Sequence, residues 1–348
     1  MKRDAAQGVS RSRQGGSRVC VLGAGSWGTA LALHLARLGD PVALWARNER
    51  TADLMNRERE NTAYLAGQRF PPGLEVTGNL SEALREVSLV LFVVPAQHGR
   101  PVFRAAISHL PMGADLVIAS KGIEENSLLR LTEVLAQEAG AEAGRRATVL
   151  SGPSFAAEVA KGDPTAVVVA SEDEGAAARV QERLSRGNLR VYRSRDPVGV
   201  EVAGALKNVV AIATGIAEGL GYGTNTRAAL ITRGMAEITR LGTRLGGRPE
   251  TFAGLAGAGD LILTCTGALS RNRSVGLEVG RGRPLSDVLA GMRMVAEGVA
   301  TARAAVALAR RHDVDMPIAS KVHAVLFEGT TPQDAVAYLL SRPLKEEQ

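Results

Sequence analysis

The sequence predicts an α/β protein in which a doubly wound parallel sheet domain is followed by an all-helical domain. In the first half, short apolar and β-branched runs alternate with helical patterns, which is typical of parallel strands buried on both faces. After about Arg195 the strand pattern stops, and the remaining segments have helical periodicity. These two observations carry the fold prediction.

The strand pattern starts with RVCVLG at Arg18, followed by the helical pattern SWGTALALHLARLG and a second strand, PVALWAR. Further strands are predicted at 89–94, 116–120, 148–151, 166–170 and 189–192, with helices that include 128–139 and 175–186. In the second half, helices are predicted at 199–220, 226–245, 300–311, 318–327 and 331–340, with a glycine-rich stretch at 254–267. We therefore divide the chain into a disordered tail (1–17), a sheet domain (18–195) and a helical domain (196–342).

Composition excludes several functional classes. The chain has 348 residues, of which 45% are hydrophobic, as expected for a soluble globular protein. No apolar run is expected to approach the roughly 20 residues of a membrane span. The net charge is +6, but half of it lies in residues 1–17, and basic residues do not cluster with aromatic ones. Nucleic-acid binding is therefore not expected.

The cysteines and histidines indicate a reducing compartment and no metal site. Cys20 and Cys265 are far apart in the sequence, and neither belongs to a C-x-x-C pair. The five histidines lack the spacing of zinc ligands. The N-terminal segment has no apolar core of a secretory signal, so we predict a cytoplasmic protein without a bound metal.

A glycine loop predicts a dinucleotide site. GAGSWG places Gly23, Gly25 and Gly28 in G-x-G-x-x-G spacing between a strand and a helix, the arrangement of a Rossmann-type domain. The free N–H groups at the start of that helix then meet the pyrophosphate. The alternative is an ordinary strand-to-helix turn. Trp27, inside the loop, fits a packing role and a cofactor contact equally well.

The end of the second strand indicates NADP. NAD-specific sites place an acidic residue there, which binds the ribose hydroxyls. Here LWARN offers Arg47, whose charge suits the 2′-phosphate of NADP. The alternative is a solvated surface arginine.

EVAGALKNVVAIATG places a lysine on an apolar helix face. Ala203, Gly204, Val210 and Ala211 lie one turn from Lys207, on the stripe that a helix turns toward a core. Lysine is almost never buried without a partner. The inward ammonium therefore needs a functional explanation.

Several ordered motifs supply that explanation. The chain contains GAGSWGTALA, NTAYL, VVPAQ, ASKGIE, LSGPSFAAEVA, GALKNVVAI, TRGMAEITRLG, GLAGAGDLILTCT, SRNRSVG and VAEG. Together they cover nearly all of the chain, which resembles the NAD(P)-dependent sn-glycerol-3-phosphate dehydrogenase family. The resemblance implies reversible reduction of dihydroxyacetone phosphate to sn-glycerol 3-phosphate for phospholipid synthesis, with NADPH as the cofactor and NADH also accepted.

The resemblance implies a role for each matching residue. Lys207 is the proton donor and acceptor, and its partner in this interpretation is the substrate. Substrate binding is implied for Lys121, Gly152, Ser154, Lys207, Asp260, Ser270, Arg271 and Asn272. Cofactor binding is implied for Gly23, Gly25, Ser26, Trp27, Gly28, Arg47, Lys121, Ala156, Arg271, Val295 and Glu297. One departure is Ala66, where the family usually has proline.

Each role has a plainer structural alternative. Lys121 follows a strand end, where an open α/β sheet binds its ligand, but a surface lysine would look the same. Arg271 and Arg273 bracket Asn272 and suit a phosphate, although a solvated loop has the same composition. Asp260 could be only a helix cap. Burial among small residues lowers the pKa of Lys207, a nearby Asp260 would raise it, and the sequence does not decide between them.

Two other functions share some of these sequence features. A β-hydroxyacid dehydrogenase also joins a nucleotide domain to a helical domain with a lysine, but the SRN segment and the two lysines disfavour it. A silent NADPH-sensing protein would need the glycine loop but neither Lys121 nor Lys207. Oligomeric state does not follow from the sequence, and a homodimer is retained as one alternative.

Overall fold

The structure is a computed structural model that describes residues 17–292, 294–344 and 346. The predicted tail, 1–17, lies outside the described residues except for Ser17. The first half of the described chain forms a sheet with helices, and the second half is helical. This confirms the predicted fold class.

Eight strands form the main sheet, in the order β10-β9-β8-β7-β6-β1-β2-β5. They are β1 (Arg18–Leu22), β2 (Val42–Trp45), β5 (Leu74–Thr77), β6 (Val87–Phe92), β7 (Asp115–Ile118), β8 (Thr148–Ser151), β9 (Thr165–Ala170) and β10 (Leu189–Ser194). A separate antiparallel pair consists of β3 (Glu60–Asn61) and β4 (Leu65–Arg69). The sequence analysis missed β3, β4 and the short edge strand β5, whose alternating burial lacks a continuous apolar run.

The sheet is not parallel throughout. Strand β9 pairs antiparallel with β8, and β10 pairs parallel with β9, so the last two strands run against the other six. The predicted parallel sheet is thus mostly parallel, with two reversed strands at this edge. An apolar strand pattern reports burial on both faces, but it carries no information on strand direction.

Eight helices connect the strands of the first half. They are α1 (Ser26–Arg37), α2 (Glu49–Glu58), α3 (Leu80–Ala83), α4 (Gly99–Ile107), α5 (Leu131–Ala139), α6 (Ala141–Arg146), α7 (Ala156–Lys161) and α8 (Glu174–Leu184). Side-chain caps fix several of their starts. Asn48 accepts the N–H of Thr51 at α2, and Asp173 accepts the N–H of Ala176 at α8.

Nine helices follow in the described part of the second half. They are α9 (Pro197–Gly219), α10 (Thr224–Arg244), α11 (Pro249–Ala253), α12 (Asp260–Thr266), α13 (Arg271–Gly280), α14 (Leu285–Ala290), α15 (Glu297–Arg311), α16 (Pro317–Phe327) and α17 (Pro332–Leu340). Five of them were predicted to within three residues at their N-terminal ends. The glycine-rich stretch proved to be a π-helical turn, Leu255–Gly259, that runs directly into α12.

Helix α9 is the core of the second half. Asp196 caps it, and nearly every residue from Pro197 to Ala217 is buried. By length and composition α9 could cross a membrane, which corrects the expectation that no apolar run approaches that length. Its apolar window is completely buried inside the protein, so it is a core helix.

Helix α13 packs directly on α9. A Cβ at Gly215 would lie 2.1 Å from the carbonyl oxygen of Arg273, and one at Gly276 would lie 2.1 Å from that of Ile212. The two backbones therefore touch without intervening side chains, and the start of α13 reaches Asn208, the neighbour of Lys207 in the chain.

The predicted domain boundary at 195/196 falls between two elements, since β10 ends at Ser194 and α9 begins at Pro197. The division into two domains at this point stays a prediction.

Candidate active site

The candidate site lies at the carboxyl ends of the central strands. Strand order turns between β1 and β6, which is the switch point where an open α/β sheet binds its ligand. The glycine loop follows β1, and Lys121 follows β7. From the helical half, Gly204 of α9 approaches this edge, since a Cβ there would lie 2.9 Å from Ser151 Oγ and 3.8 Å from Lys121 Cγ.

The glycine loop has the shape that a dinucleotide needs. Gly23 has a φ of +116°, and a Cβ there would lie 2.6 Å from the carbonyl oxygen of Val93. A Cβ at Gly28 would lie 1.9 Å from the carbonyl oxygen of Gly23. At Gly25, by contrast, a Cβ would meet no atom within 4 Å. The outer glycines permit the close turn, and the middle one leaves backbone open to a pyrophosphate.

The other predicted cofactor residues of this region surround the loop. Ser26 Oγ lies 3.4 Å from Met294 Sδ, which places the 294–297 segment over the loop. Trp27 Nε1 is buried and has no hydrogen-bond partner in the described part of the chain. Arg47 is exposed two residues beyond β2, and the last residue of β2, Trp45, accepts the N–H of Gly23. Arg47 thus lies just beyond the end of the second strand, the position from which Rossmann-type domains bind the adenosine ribose.

One carboxylate joins the two predicted lysines. Lys207 Nζ donates to Asp260 Oδ1 at 2.6 Å and to Thr264 Oγ1 at 2.7 Å. Lys121 Nζ donates to Asp260 Oδ2 at 2.6 Å. Asp260 is fully buried, and Lys207 is only 6% exposed. Asp260 begins α12 without capping it, so the alternative of a helix cap does not hold.

The sequence did not decide whether burial or Asp260 has the larger effect on the pKa of Lys207. In the structure burial has the larger effect. Burial lowers the pKa of Lys207 to about 8; Asp260 opposes the shift, and Lys121 adds to it. Burial alone would raise the pKa of Asp260, but Lys121 and Lys207 together hold it below its ordinary value. The inward ammonium therefore has protein partners, Asp260 and Thr264, which the interpretation of a substrate partner did not include.

The SGPSFA segment supports Lys121. The carbonyl oxygen of Gly152 accepts from Lys121 Nζ at 3.4 Å and from Ser154 Oγ at 2.9 Å. Gly152 has a φ of +140° and lies against Val167, so a larger residue would not fit. Ala156 starts α7 and packs against the same apolar cluster as the glycine loop.

Arg271 and Arg273, at the start of α13, could not be distinguished in the sequence, but they differ in their contacts. Arg273 is tied to Glu218 and to the carbonyl oxygen of Gly267. Arg271 is half-buried, and it forms no hydrogen bond or ion pair within the described part of the chain. Burial lowers its pKa, and Glu297 opposes the shift. A half-buried guanidinium without a protein partner is suited to an anionic ligand.

The residues on either side of Arg271 have structural partners. Ser270 Oγ accepts the N–H of Arg273 and caps α13. Asn272 donates to Asn208 Oδ1 at 2.9 Å and accepts the N–H of Gly298 at 2.9 Å. It thereby links helix α9 to the start of α15.

Two of the predicted cofactor residues, Val295 and Glu297, belong to the VAEG segment. Val295 is exposed, whereas Glu297 at the start of α15 is half-buried and its Oε2 is fully shielded from solvent. Burial raises the pKa of Glu297 to about 7, against the opposing effects of Arg271 and the N–H of Ala96. Its Oε2 has no hydrogen-bond partner in the described chain and would lie 3.2 Å from a Cβ at Gly122. An unpaired buried carboxyl oxygen beside Gly122, the residue after Lys121, fits a polar group of a bound cofactor.

Sequence reasoning missed two site residues. Thr264 contacts Lys207, and Asn208 holds Asn272. Both carry a detectable signal, since Thr264 lies one helical turn after Asp260 and Asn208 directly follows Lys207 in a quoted motif.

Comparisons with known proteins agree with this geometry. Models of the NAD-dependent glycerol-3-phosphate dehydrogenase N-terminus and C-terminus match residues 18–177 and 196–337. A glycerol-3-phosphate dehydrogenase (NAD(P)+) from Koribacter versatilis is 51% identical over 94% of this chain and 98% of its own length. One from Geobacter sulfurreducens is 52% identical over 95% and 98%. A crystal structure of glycerol-3-phosphate dehydrogenase from Coxiella burnetii has a TM-score of 0.89 at 41% identity, covering 94% of this chain and 99% of that one. The chain belongs to the NAD-dependent glycerol-3-phosphate dehydrogenase family.

Proposed function

We propose that Lys207, Asp260 and Lys121 form the catalytic centre of this glycerol-3-phosphate dehydrogenase. The enzyme reversibly reduces dihydroxyacetone phosphate to sn-glycerol 3-phosphate with NAD(P)H, which supplies the backbone for phospholipid synthesis. The observation that carries the proposal is a buried lysine whose pKa is lowered to about 8 and which shares a carboxylate with a second lysine. Such a group can give and take a proton near neutral pH.

The proton chemistry follows from this arrangement. The glycine loop would hold a nicotinamide cofactor, which would supply the hydride for the carbonyl carbon. Lys207 Nζ, as the ammonium, donates a proton to the carbonyl oxygen while negative charge develops there. In the oxidation direction, neutral Lys207 accepts the hydroxyl proton. Asp260 orients Nζ of Lys207 through Oδ1 and counters the charge of Lys121, which bonds Oδ2 of the same carboxylate.

The remaining residues bind the two ligands. We assign the pyrophosphate to the loop of Gly23, Gly25 and Gly28, the 2′-phosphate to Arg47 and the substrate phosphate to Arg271. The other assigned cofactor contacts are Ser26, Trp27, Lys121, Ala156, Val295 and Glu297. The other assigned substrate contacts are Lys121, Gly152, Ser154, Asp260, Ser270 and Asn272.

One assay tests the overall function. NADPH oxidation should depend on dihydroxyacetone phosphate and should be negligible with a β-keto acid. Turnover of the β-keto acid alone would favour a β-hydroxyacid dehydrogenase, and NADPH binding without turnover would favour a sensor.

We also propose a cytoplasmic homodimer. Both cysteines are buried and unpaired, as suits a reducing compartment. Tyr222, Ile262 and Leu269 expose large apolar side chains in the helical half, which supports a subunit contact there. Sedimentation equilibrium would distinguish a dimer from a monomer.

The two reaction directions should have opposite pH dependences. Reduction needs protonated Lys207, so its kcat should fall as pH rises through about 8. Oxidation needs the neutral amine, so its kcat should rise over the same range. The measurement is kcat at saturating substrates in both directions from about pH 6 to 10. Profiles that change in the same direction would contradict the role of Lys207.

Replacement of Arg47 should change cofactor preference. Arg47→Asp removes the positive charge at the end of β2 and repels the 2′-phosphate. A lost charged contact costs about 1.5 to 3 kcal/mol, so kcat/KM for NADPH should fall about 10- to 100-fold more than for NADH. Arg57→Asp is the control, since Arg57 is exposed at the other end of α2. Equal losses with both cofactors would show that Arg47 does not contact the 2′-phosphate.

Replacement of Arg271 should affect the phosphorylated ketone selectively. Arg271→Ala should raise KM for dihydroxyacetone phosphate about 10- to 100-fold, because a charged hydrogen-bond partner of the phosphate is lost. The kcat/KM for unphosphorylated dihydroxyacetone should change much less. Arg273→Ala is the control; it breaks the contacts with Glu218 and Gly267 and should affect both ketones equally. Equal losses for Arg271→Ala would assign that arginine to the fold or to the cofactor.

A further inference from the structure

The NTAYL motif contains a buried side chain that contacts the glycine loop. Asn61, at the end of β3, is 1% exposed. Its Nδ2 donates to the carbonyl oxygen of Ala24 at 2.9 Å and to Thr29 Oγ1 at 2.8 Å. Its Oδ1 accepts the N–H of Tyr64 at 3.2 Å. One amide therefore joins the middle of GAGSWG, the first turn of α1 and the β3–β4 pair.

These partners fix the orientation of the amide. A backbone carbonyl oxygen only accepts and a backbone N–H only donates, so Nδ2 must face Ala24 and Oδ1 must face Tyr64. Both hydrogens of Nδ2 are used. A carboxylate of the same shape could not make either donation.

The contact with Ala24 determines where the next N–H points. In a trans peptide, the C=O of one residue and the N–H of the next point in opposite directions. With the carbonyl oxygen of Ala24 held by Asn61, the N–H of Gly25 points away from Asn61. No backbone carbonyl accepts that N–H in the described part of the chain, and Gly25 is the glycine whose surroundings are open.

We propose that Asn61 is a positioning residue for the dinucleotide pyrophosphate, which it orients by fixing the Ala24–Gly25 peptide. It does not touch the cofactor. It holds the loop in the conformation that presents the Gly25 N–H to an anion. The loop is therefore already ordered, and less conformational entropy is lost when the cofactor binds. The inference rests on the proposed function, because it assigns the loop to the cofactor.

The test compares ligands that differ in the pyrophosphate. Binding of NADPH, 2′-phospho-ADP-ribose and 2′-AMP is measured by calorimetry without substrate. Asn61→Asp should raise the Kd of the first two ligands about 10- to 100-fold, because both contain the pyrophosphate. The Kd of 2′-AMP, which lacks it, should change less than about threefold, and kcat and KM for dihydroxyacetone phosphate at saturating NADPH should stay within about twofold.

A matched control is available in the same domain. Asn56 also clamps backbone through its amide, donating to the carbonyl oxygen of Val76 and accepting the N–H of Val76. Asn56→Asp should lower thermal stability and leave all three Kd values unchanged. If Asn61→Asp does not fold, Thr29→Val removes one of the two acceptors of Asn61 with the shape retained, and it should raise the Kd of NADPH about three- to tenfold.

The outcomes separate this inference from the proposed function. Unchanged NADPH binding in the Asn61 or the Thr29 variant would overturn the positioning role, and so would an equal loss for 2′-AMP. Wild-type oxidation of NADPH by dihydroxyacetone phosphate tests the proposed function independently. If that turnover is present and Asn61→Asp binds NADPH normally, only the inference on Asn61 fails.

Discussion

Lys207→Met should reduce kcat by about 10²- to 10⁴-fold, the usual contribution of a positioned proton donor. Methionine keeps the length and the apolar stem of lysine but cannot move a proton. NADPH binding should survive, because the glycine loop belongs to the sheet half of the chain. The measurement is kcat, in both directions, of a folded protein that binds NADPH.

The structure also predicts the effect of this variant on stability. Asp260 loses Lys207 but keeps Lys121 as a partner, and Thr264 loses one donor. We expect the free energy of unfolding to fall by about 1 to 3 kcal/mol, as for a lost hydrogen bond that leaves a buried group unpaired. Lys161→Met, at the end of α7, is a control in which no ion pair is lost within the described residues. A kcat for Lys207→Met within a few-fold of wild type would leave that lysine only a structural role.

Asp260→Asn should affect both stability and catalysis, because one carboxylate serves two ammonium groups. Removing one partner of a buried ion pair costs about 3 to 5 kcal/mol, and here two lysines lose their counterion. Asp260 is the group that holds the pKa of Lys207 up against burial. Without it that pKa should fall further below about 8, so less ammonium is present at neutral pH. We expect the kcat of reduction at neutral pH to fall about 100-fold, with a lower midpoint of its pH profile.

Asp196→Asn separates the two effects. Asp196 is also a buried carboxylate, but it caps α9 and accepts from Arg248 and Thr251. Its replacement should destabilise the protein without moving the midpoint of the pH profile. An unmoved midpoint in Asp260→Asn would contradict the assigned electrostatic role.

Local pattern predicted much of the fold. Apolar runs predicted β1, β2 and the strands of the sheet centre, and helical periodicity predicted α9 and α10. Both are visible in the sequence because buried positions are apolar and recur with the period of the strand or helix. The reversed direction of β9 and β10 does not change the apolar pattern, so it could not be predicted. The four helices between Pro249 and Ala290 were missed as well, since glycine and polar residues dominate that stretch and tertiary packing, rather than propensity, holds them.

Some residues of the candidate site were predictable from the sequence, and others were not. The glycine loop was predictable because three glycines at fixed spacing follow a strand, and Lys207 because a lone charge interrupts an apolar face. Arg271 and Arg273 are equivalent in the sequence. Only the tertiary contacts distinguish them, because Arg273 is bonded to Glu218 and Gly267, whereas Arg271 has no hydrogen-bond or ion-pair partner among the described residues.

The sequence by itself determined the fold class, the dinucleotide loop, the inward lysine and, by its motifs, the family. The tertiary structure decided which groups meet. Asp260 lies far from both Lys121 and Lys207 along the chain, yet it bonds both, and Asn61 reaches the glycine loop from another motif. Periodicity and spacing report only neighbours along one segment. Ion pairing and pKa depend on distance and burial in space, and these are set when the strand ends and α9, α12 and α13 pack together.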